Sequence, residues 1–552
     1  MHTRTCLIAA VLALTSSTAL ANRAKNVILM ISDGAGPTTW QAANQWQFGT
    51  NAGSGSAFKQ RFEQADFTQH WMTTFPGNTL PLPPGQTDVR LGFPAGTFPR
   101  YLPQLWNELP IPDAGTYDPA RANDPTPADV RLFANSSGTL LGDRGPRLDL
   151  TPVATNPPAV QQLANILEAN GTVRAHVDQG FAAYDYLIWN STTDSAAAGT
   201  ALASGRKTYN SAINYVDNGT SLEAVPFITQ QVKAMGMKAG VVTTKPFTDA
   251  TPAAFGTQDD YRDDEAAISD SMIRNGLLDV IITPGHPEFG GSSQTLSASN
   301  LAALRGGLDG WSFVDDNATL RGIGDATVEA PDRLFGMVPV GGSLNSRNTA
   351  GRTNAYDPRF FDPANPNGAV PFVSPDLDEL SLAALRTLSK GDNGFFAMIE
   401  GASVDSAAHA NNLPQLIEEQ LQFNRAVDAV INWVETNSNW EETLLIVTTD
   451  HANGLLLGPD SDTIFFQDPI ATSVGNLPQA MWWTTNHTNE LVPLWTKGAG
   501  ADLFGGLVDG IDPRRGQYID NTDVYNVMSR VIIPEPGTLA LLAGAMLVLR
   551  RR

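Results

Sequence analysis

The chain has 552 residues, 57 of them acidic and 35 basic, so its formal net charge is −22. An apolar share of 42% suffices for a large core and argues against disorder, and the length suits one enlarged α/β domain or two. A surface this acidic repels nucleic acid and anionic membranes, so polynucleotide binding is not expected.

In chain order, the first feature is a leader. His2 to Arg4 is weakly basic, Leu7 to Leu14 is an apolar run too short to span a bilayer, and Ala19 to Ala21 supplies small residues for cleavage. Residues 1–21 are therefore expected to be a signal peptide, with the mature protein exported to the periplasm, outer surface or medium. The single cysteine, Cys6, lies in that leader, so the mature chain has no thiol and must be stabilised by packing and metals.

Beyond it, apolar runs at Val27 to Ile31, Ala239 to Thr243, Leu278 to Thr283, Phe395 to Ile399 and Leu444 to Thr448 predict strands. Helical spacing lies between them, most clearly after Pro414, where Ile417, Leu421, Val427, Val430, Ile431 and Val434 recur, with Glu418 and Glu419 expected in the first turn. Alternation of this kind predicts an α/β three-layer sandwich, a mostly parallel central sheet covered on both faces, over residues 22–530. Functional groups in such sheets collect beyond the carboxyl ends of the strands. Asp33, Glu400 and Asp450 stand there.

The stretch from about 40 to 184 interrupts the pattern. Rich in Pro, Gly, Asn and Asp, it reads as a large loop-rich insertion. Trp46, Trp71, Phe75, Phe93, Phe98 and Trp106 suggest that it folds onto the scaffold as a crown over the site entrance. At the other end, residues 531–552 contain Pro534, Glu535 and Pro536, an apolar run from Thr538 to Leu549, and Arg550 to Arg552. This tail resembles the PEP-CTERM sorting signal of Gram-negative bacteria. The resemblance implies a short hydrophobic helix with transient membrane association, then cleavage by a sorting protease; a plain C-terminal anchor is the alternative.

The chemistry lies in scarce residues. Of seven histidines, three fall in motifs: His409, in helical reach of Asp405; His451, beside Asp450; and His487, before Thr488. Ser195 opens a run of small residues closed by Gly205, so it stands where a helix begins and unpaired amide groups can meet a phosphate. On those grounds alone it is a nucleophile or merely an N-cap. Bound divalent cations would reverse the acidic field that otherwise disfavours a phosphate substrate.

Taken together and in order, Asp33-Gly34, Asp194-Ser195, Glu400 to Asp405 with His409, Asp450-His451 and His487-Thr488 resemble the alkaline phosphatase family, from Lys25 to about Gly500. The resemblance implies two zinc ions and one magnesium ion per chain. One zinc would be held by Asp405, His409 and His487, the second by Asp33, Asp450 and His451, and the magnesium by Asp33, Thr251 and Glu400; nitrogen and oxygen donors suit zinc, oxygen alone suits magnesium. It further implies hydrolysis of phosphate monoesters through a phosphoserine at Ser195. Arg262 would bind the substrate, and Asp194 would orient the serine loop or accept from Arg262. Dimer formation is left open. Thr192, Ser406 and Asn489 depart from the family pattern; Ser406 follows Asp405 where some relatives carry lysine or histidine near the phosphate. A phosphodiesterase on the same metal scaffold and a non-catalytic surface or matrix protein are the alternatives.

Overall fold

The computed structural model describes residues 23–77, 192–217, 221–344, 354–355, 374–461, 466–512 and 515–532. The expected signal peptide, the insertion from 78 to 184 and the expected tail beyond 532 lie outside these residues.

The sheet grows outward from β1 (Asn26–Ser32), whose residues are all buried. A parallel strand covered on both faces needs a continuous apolar run, and Val27 to Ile31 supplies it. After α1 (Pro37–Phe48) and β2 (Thr68–Thr73) come α2 (Ser195–Ser204), β3 (Lys238–Thr243), β4 (Val280–Thr283), β5 (Ser312–Val314) and β6 (Leu334–Met337). The second half adds α3 (Leu377–Leu388), β7 (Phe395–Gly401), α4 (Ser403–His409), α5 (Leu413–Asn437) and β8 (Thr443–Thr448), then β9 (Val492–Gly498), β10 (Gly510–Asp512), β11 (Gly516–Asp520) and α6 (Thr522–Ile532). Eleven strands form one sheet in the order β10-β11-β2-β9-β8-β1-β7-β3-β4-β6-β5. From β8 to β5 every pairing is parallel. β9 runs antiparallel to both β8 and β2.

Alternation along β1 sorts the core. Val27, Leu29 and Ile31 pack into a cluster with α2 and α6, whereas Ile28 and Met30 pack into another with α1, α3, α4 and α5. Side chains alternate across a strand, so a fully apolar strand feeds two cores. The result is the expected three-layer α/β sandwich.

Three expectations need correction. The segment from Trp40 is not irregular at its start: α1 and β2 lie there, and β2 pairs with β9 and β11 inside the main sheet. Scaffold therefore continues to at least Thr73. The signal was weak because α1 is rich in Gln, Asn and Thr and β2 is half-buried; the one legible cue was Pro37 at the helix start. Second, α5 begins at Leu413, its first turn holds no acidic residue, and Glu418 and Glu419 are buried. Third, α6 runs to Ile532 with Val531 and Ile532 in the core, past the expected domain end at 530. Among the described residues no helix is long and apolar enough to cross a membrane; the run from Thr538 to Leu549 lies outside them.

Candidate active site and metal centre

Three adjacent central strands deliver three acids. Ile31 of β1 is in register with Glu400 of β7 and Thr448 of β8, so Asp33, Glu400 and Asp450 emerge at one level of the sheet edge, all fully buried. The backbone fixes Asp450: Oδ1 accepts from Gly34 N (3.2 Å) and His451 N (2.9 Å), while Oδ2 has no hydrogen-bond partner. Both carboxylate oxygens of Asp33 are likewise buried without one. Gly34 is required here for two reasons. Its φ is +72°, and a Cβ would stand 2.9 Å from Asp405 Oδ1.

Asp405 and His409 share α4 as expected, with His409 Nε2 3.4 Å from Asp405 Oδ1. His487 Nε2 lies 3.4 Å from the same oxygen and 3.1 Å from His409 Nε2. A two-residue ladder, Asn453 opposite His487 and Ala452 opposite Thr488, holds the His487 loop beside β8. The outer ring nitrogens set the tautomers. His409 Nδ1 is 2.6 Å from Thr485 O and His487 Nδ1 is 2.7 Å from Thr193 O; each Nδ1–H donates to a carbonyl, which turns both Nε2 atoms towards Asp405 and, in the neutral rings, leaves them as lone pairs. Two lone pairs at 3.1 Å repel unless a cation or proton stands between them.

Ser195 is the first residue of α2, and its cap is Asp194, whose Oδ1 accepts from Ala197 N at 2.9 Å. The N-cap reading of Ser195 is thus corrected: the cap is its neighbour. Ser195 Oγ is free for other work and lies 3.2 Å from His451 Nε2. That nitrogen is also 3.1 Å from Asp450 Oδ2 and 3.6 Å from Asp33 Oδ1. Burial, then His487, pushes His451 well below the ordinary imidazole range, so its ring is neutral. Asp194 Oδ2 meanwhile accepts from Ser211 N (2.9 Å) and from Arg262 Nη1 (3.1 Å). Arg262 Nη2 reaches Asp249 Oδ1 at 3.1 Å. Asp194 thus touches both the first turn of α2 and Arg262.

The third cluster joins Asp33, Glu400 and Asp249, whose nearest oxygens lie within 4.8 Å of one another. Thr243 Oγ1 donates to Glu400 Oε2 at 2.5 Å, whereas Glu400 Oε1, Asp249 Oδ2 and Thr251 Oγ1 are buried without hydrogen-bond partners. Two residues here were not in the expected ligand set. Asp249 is one, and Lys245 the other: its Nζ is 3.2 Å from Asp405 Oδ2, 3.6 Å from Asp33 Oδ2 and 3.8 Å from Asp249 Oδ2. Lys245 lies just beyond β3, at the strand-end edge that carries the acids, but a lysine before Pro246 is not set apart there from a solvated turn.

Electrostatics describe a site made for cations. Burial, then Asp450 and Asp405, push Asp33 well above the usual carboxylate range; burial, then Asp249, push Glu400 up to about 8; burial, then Asp405, push Asp450 up to about 6. Asp405 goes the other way, since Lys245, His487 and His409 outweigh its burial and hold it well below that range. Burial would lower Lys245, but Asp249, Asp405, Asp33 and Glu400 outweigh it and raise it well above its ordinary value.

These residues fit divalent metals. Tetrahedral zinc at its usual ligand distances places donor atoms about 3.3 Å apart; the spacings in the His409–His487–Asp405 group are 3.1 to 3.4 Å, and those from His451 Nε2 to Asp450, Ser195 and Asp33 are 3.1 to 3.6 Å. His451 also comes within reach of the Asp405–His487 group, so the two positions abut. The orphaned oxygens of the third cluster suit a harder ion.

Comparison with known proteins decides the family. The family model described as alkaline phosphatase matches residues 179–491, more than half of the chain. The chain belongs to the alkaline phosphatase family. It is 25% identical over 411 residues to alkaline phosphatase 4 of Bacillus subtilis (strain 168), covering 63% of this chain and 77% of that one. Its fold is similar to that of the cold-active alkaline phosphatase from a Shewanella species, with a TM-score of 0.54 and 19% identity over 92% of this chain and 100% of that one. A variant of the alkaline phosphatase from the Antarctic bacterium TAB5 has Mg bound in its M3 site; it aligns with a TM-score of 0.51 and 20% identity over 93% of this chain and 98% of that one. This alkaline phosphatase is thus a hydrolase of a metal-binding family, and its candidate ligands stand together.

Proposed function

We propose that this alkaline phosphatase hydrolyses phosphate monoesters by transferring the phosphoryl group first to Ser195 and then to water. The observation that carries the reading is Ser195 Oγ, buried at the first position of α2 and 3.2 Å from His451 Nε2. The first position of a helix lies at its positive end, where a phosphate is stabilised by N–H donors and the helix dipole. Arg262, its guanidinium aimed by Asp194 and Asp249, supplies planar N–H donors for the non-bridging oxygens. In the first step the Oγ–P bond forms as the ester P–O bond breaks, and the departing alcohol gains a proton. In the second, water attacks phosphorus, Ser195 recovers its proton and inorganic phosphate leaves; two in-line displacements give overall retention.

We assign Asp405, His409 and His487 to one zinc ion, Asp33, Asp450 and His451 to a second, and Asp33, Glu400 and Thr251, with Asp249 alongside, to magnesium. Bound there, the metals would supply Lewis acidity and lower the pKa of water from about 15.7 towards ~7. The protein's own part is to hold the donors: Thr193 and Thr485 carbonyls fix the histidine tautomers, and Gly34 N fixes Asp450. We further assign residues 1–21 as an export signal and, with the bounds moved from about 40–184 and 531–552 to clear β2 and α6, the region after Thr73 as an insertion at the site entrance and the tail from 533 as a sorting signal.

Replacement of Ser195 by alanine tests the reading. Hydrolysis of p-nitrophenyl phosphate should fall by about 10⁴-fold or more while zinc content is retained; retained turnover would mean that the nucleophile is another group. A strong preference of the wild type for bis(p-nitrophenyl) phosphate would overturn the monoester assignment.

A further inference from the structure

Two of the three carboxylates assigned to the zinc positions, Asp405 and Asp33, turn one oxygen to the histidines and the other to a lysine. Asp405 Oδ1 accepts from Asn453 Nδ2 at 2.7 Å and faces His409 and His487, and Asp33 Oδ1 faces His451. The second oxygen of each turns to Lys245 Nζ, at 3.2 Å for Asp405 Oδ2 and 3.6 Å for Asp33 Oδ2. The same ammonium stands 3.8 Å from Asp249 Oδ2. Asp33 and Asp249 are two of the three carboxylates of the third cluster, so Lys245 already engages the oxygens from which a third cation would be built.

Nothing about this lysine is loose. Its backbone N donates to Thr243 Oγ1 at 3.1 Å, the hydroxyl that in turn binds Glu400, and its carbonyl accepts from Thr283 Oγ1 at 3.2 Å. It is therefore anchored by the ends of β3 and β4, and its side chain is only 17% exposed. Ser406, next to Asp405 on α4, brings no charge of its own.

We propose that Lys245 is a positioning residue that acts as the resident cation of the third site, aligning Oδ1 of Asp33 and Asp405 on the histidines and weakening capture of a divalent ion by Asp33, Asp249 and Glu400. A positive charge within 4 Å of the ligand oxygens repels an incoming cation and offsets the negative charge that would attract it. The site then holds two ions tightly and exchanges a third. This inference rests on the proposed zinc and magnesium positions.

The test uses the purified full chain as wild type, Lys245→Met and Lys245→Arg, without any activity measurement. Each is loaded with zinc, dialysed, and analysed for metal content; magnesium binding to the zinc-loaded protein is then followed by calorimetry. The wild type and Lys245→Arg should retain two ions through dialysis and bind magnesium weakly, whereas Lys245→Met should bind it at least tenfold more tightly and retain three. A merely structural role would loosen metal binding, not tighten it. Equal magnesium affinity in wild type and Lys245→Met, or three retained ions in the wild type, would overturn the inference; the second result needs no variant to fold. Failure of the wild type to take up zinc would instead overturn the functional reading beneath it.

Discussion

At the scale of single residues, Glu490 ties local chemistry to pH. It is buried, receives Thr488 Oγ1 at 2.9 Å, and burial pushes its carboxyl up from 4.5 to about 7. The unfolded chain holds this group at its ordinary value, so between about pH 4.5 and 7 the folded state binds more protons than the unfolded one. Stability from this group is therefore fully present below about pH 4.5 and is lost as pH rises towards 7, by up to about 3 kcal/mol. Glu490→Gln should flatten that part of the curve in urea unfolding measured from pH 4.5 to 7.5; an unchanged slope would assign the effect elsewhere. Legibility at this scale was uneven. Asp33, Asp405, His409, Asp450, His451 and His487 were readable because scarce residue types recurred after apolar runs. Lys245 was not, because a lysine following a strand and preceding proline reads as a solvated turn until three carboxylates are seen around it.

At the scale of elements, the start of α2 separates two functions of Asp194. Its Oδ1 caps the helix at Ala197 N, and its Oδ2 fixes Ser211 N and Arg262. Asparagine caps as well as aspartate does. Asp194→Asn should therefore leave thermal stability nearly unchanged yet raise KM for p-nitrophenyl phosphate several-fold as Arg262 loses a charged partner; Asp194→Ala should add a loss of about 1 kcal/mol in denaturant unfolding. An equal stability loss in both variants would argue that the ion pair, not the cap, holds the helix. The same scale explains what the sequence revealed of the fold. The five parallel strands predicted from apolar runs are present because burial on both faces leaves a continuous signal, whereas β2, exposed at its first two residues and buried towards its end, and α1, with buried Gln45 hydrogen-bonded to Pro469 O, carry their meaning in partners far along the chain.

At the scale of the whole molecule, buried acids make folding and metal uptake one problem. Asp33, Asp249, Glu400, Asp405 and Asp450 are gathered around Lys245 and Arg262, and the chain as a whole carries −22. Chelation should lower the thermal midpoint together with activity. Zinc restored to about a hundred times its Kd should return about 2.7 kcal/mol of stability. Calorimetry with and without chelator measures both; an unshifted midpoint would show that these acids are not metal ligands.

The central position of β1 has a consequence for how the protein is made. Its neighbours are β7 and β8, so Asn26 pairs with Phe395 on one side and Thr443 on the other. β1 thus pairs with strands that lie far along the chain, β7 from Phe395 and β8 from Thr443, and Asp33 meets Asp450 and His451 only when β8 has joined the sheet. The proposed zinc positions need His451 and His487, so they form only once both ends of the sheet's centre have come together, and the compartment in which the chain folds decides which ions the enzyme acquires.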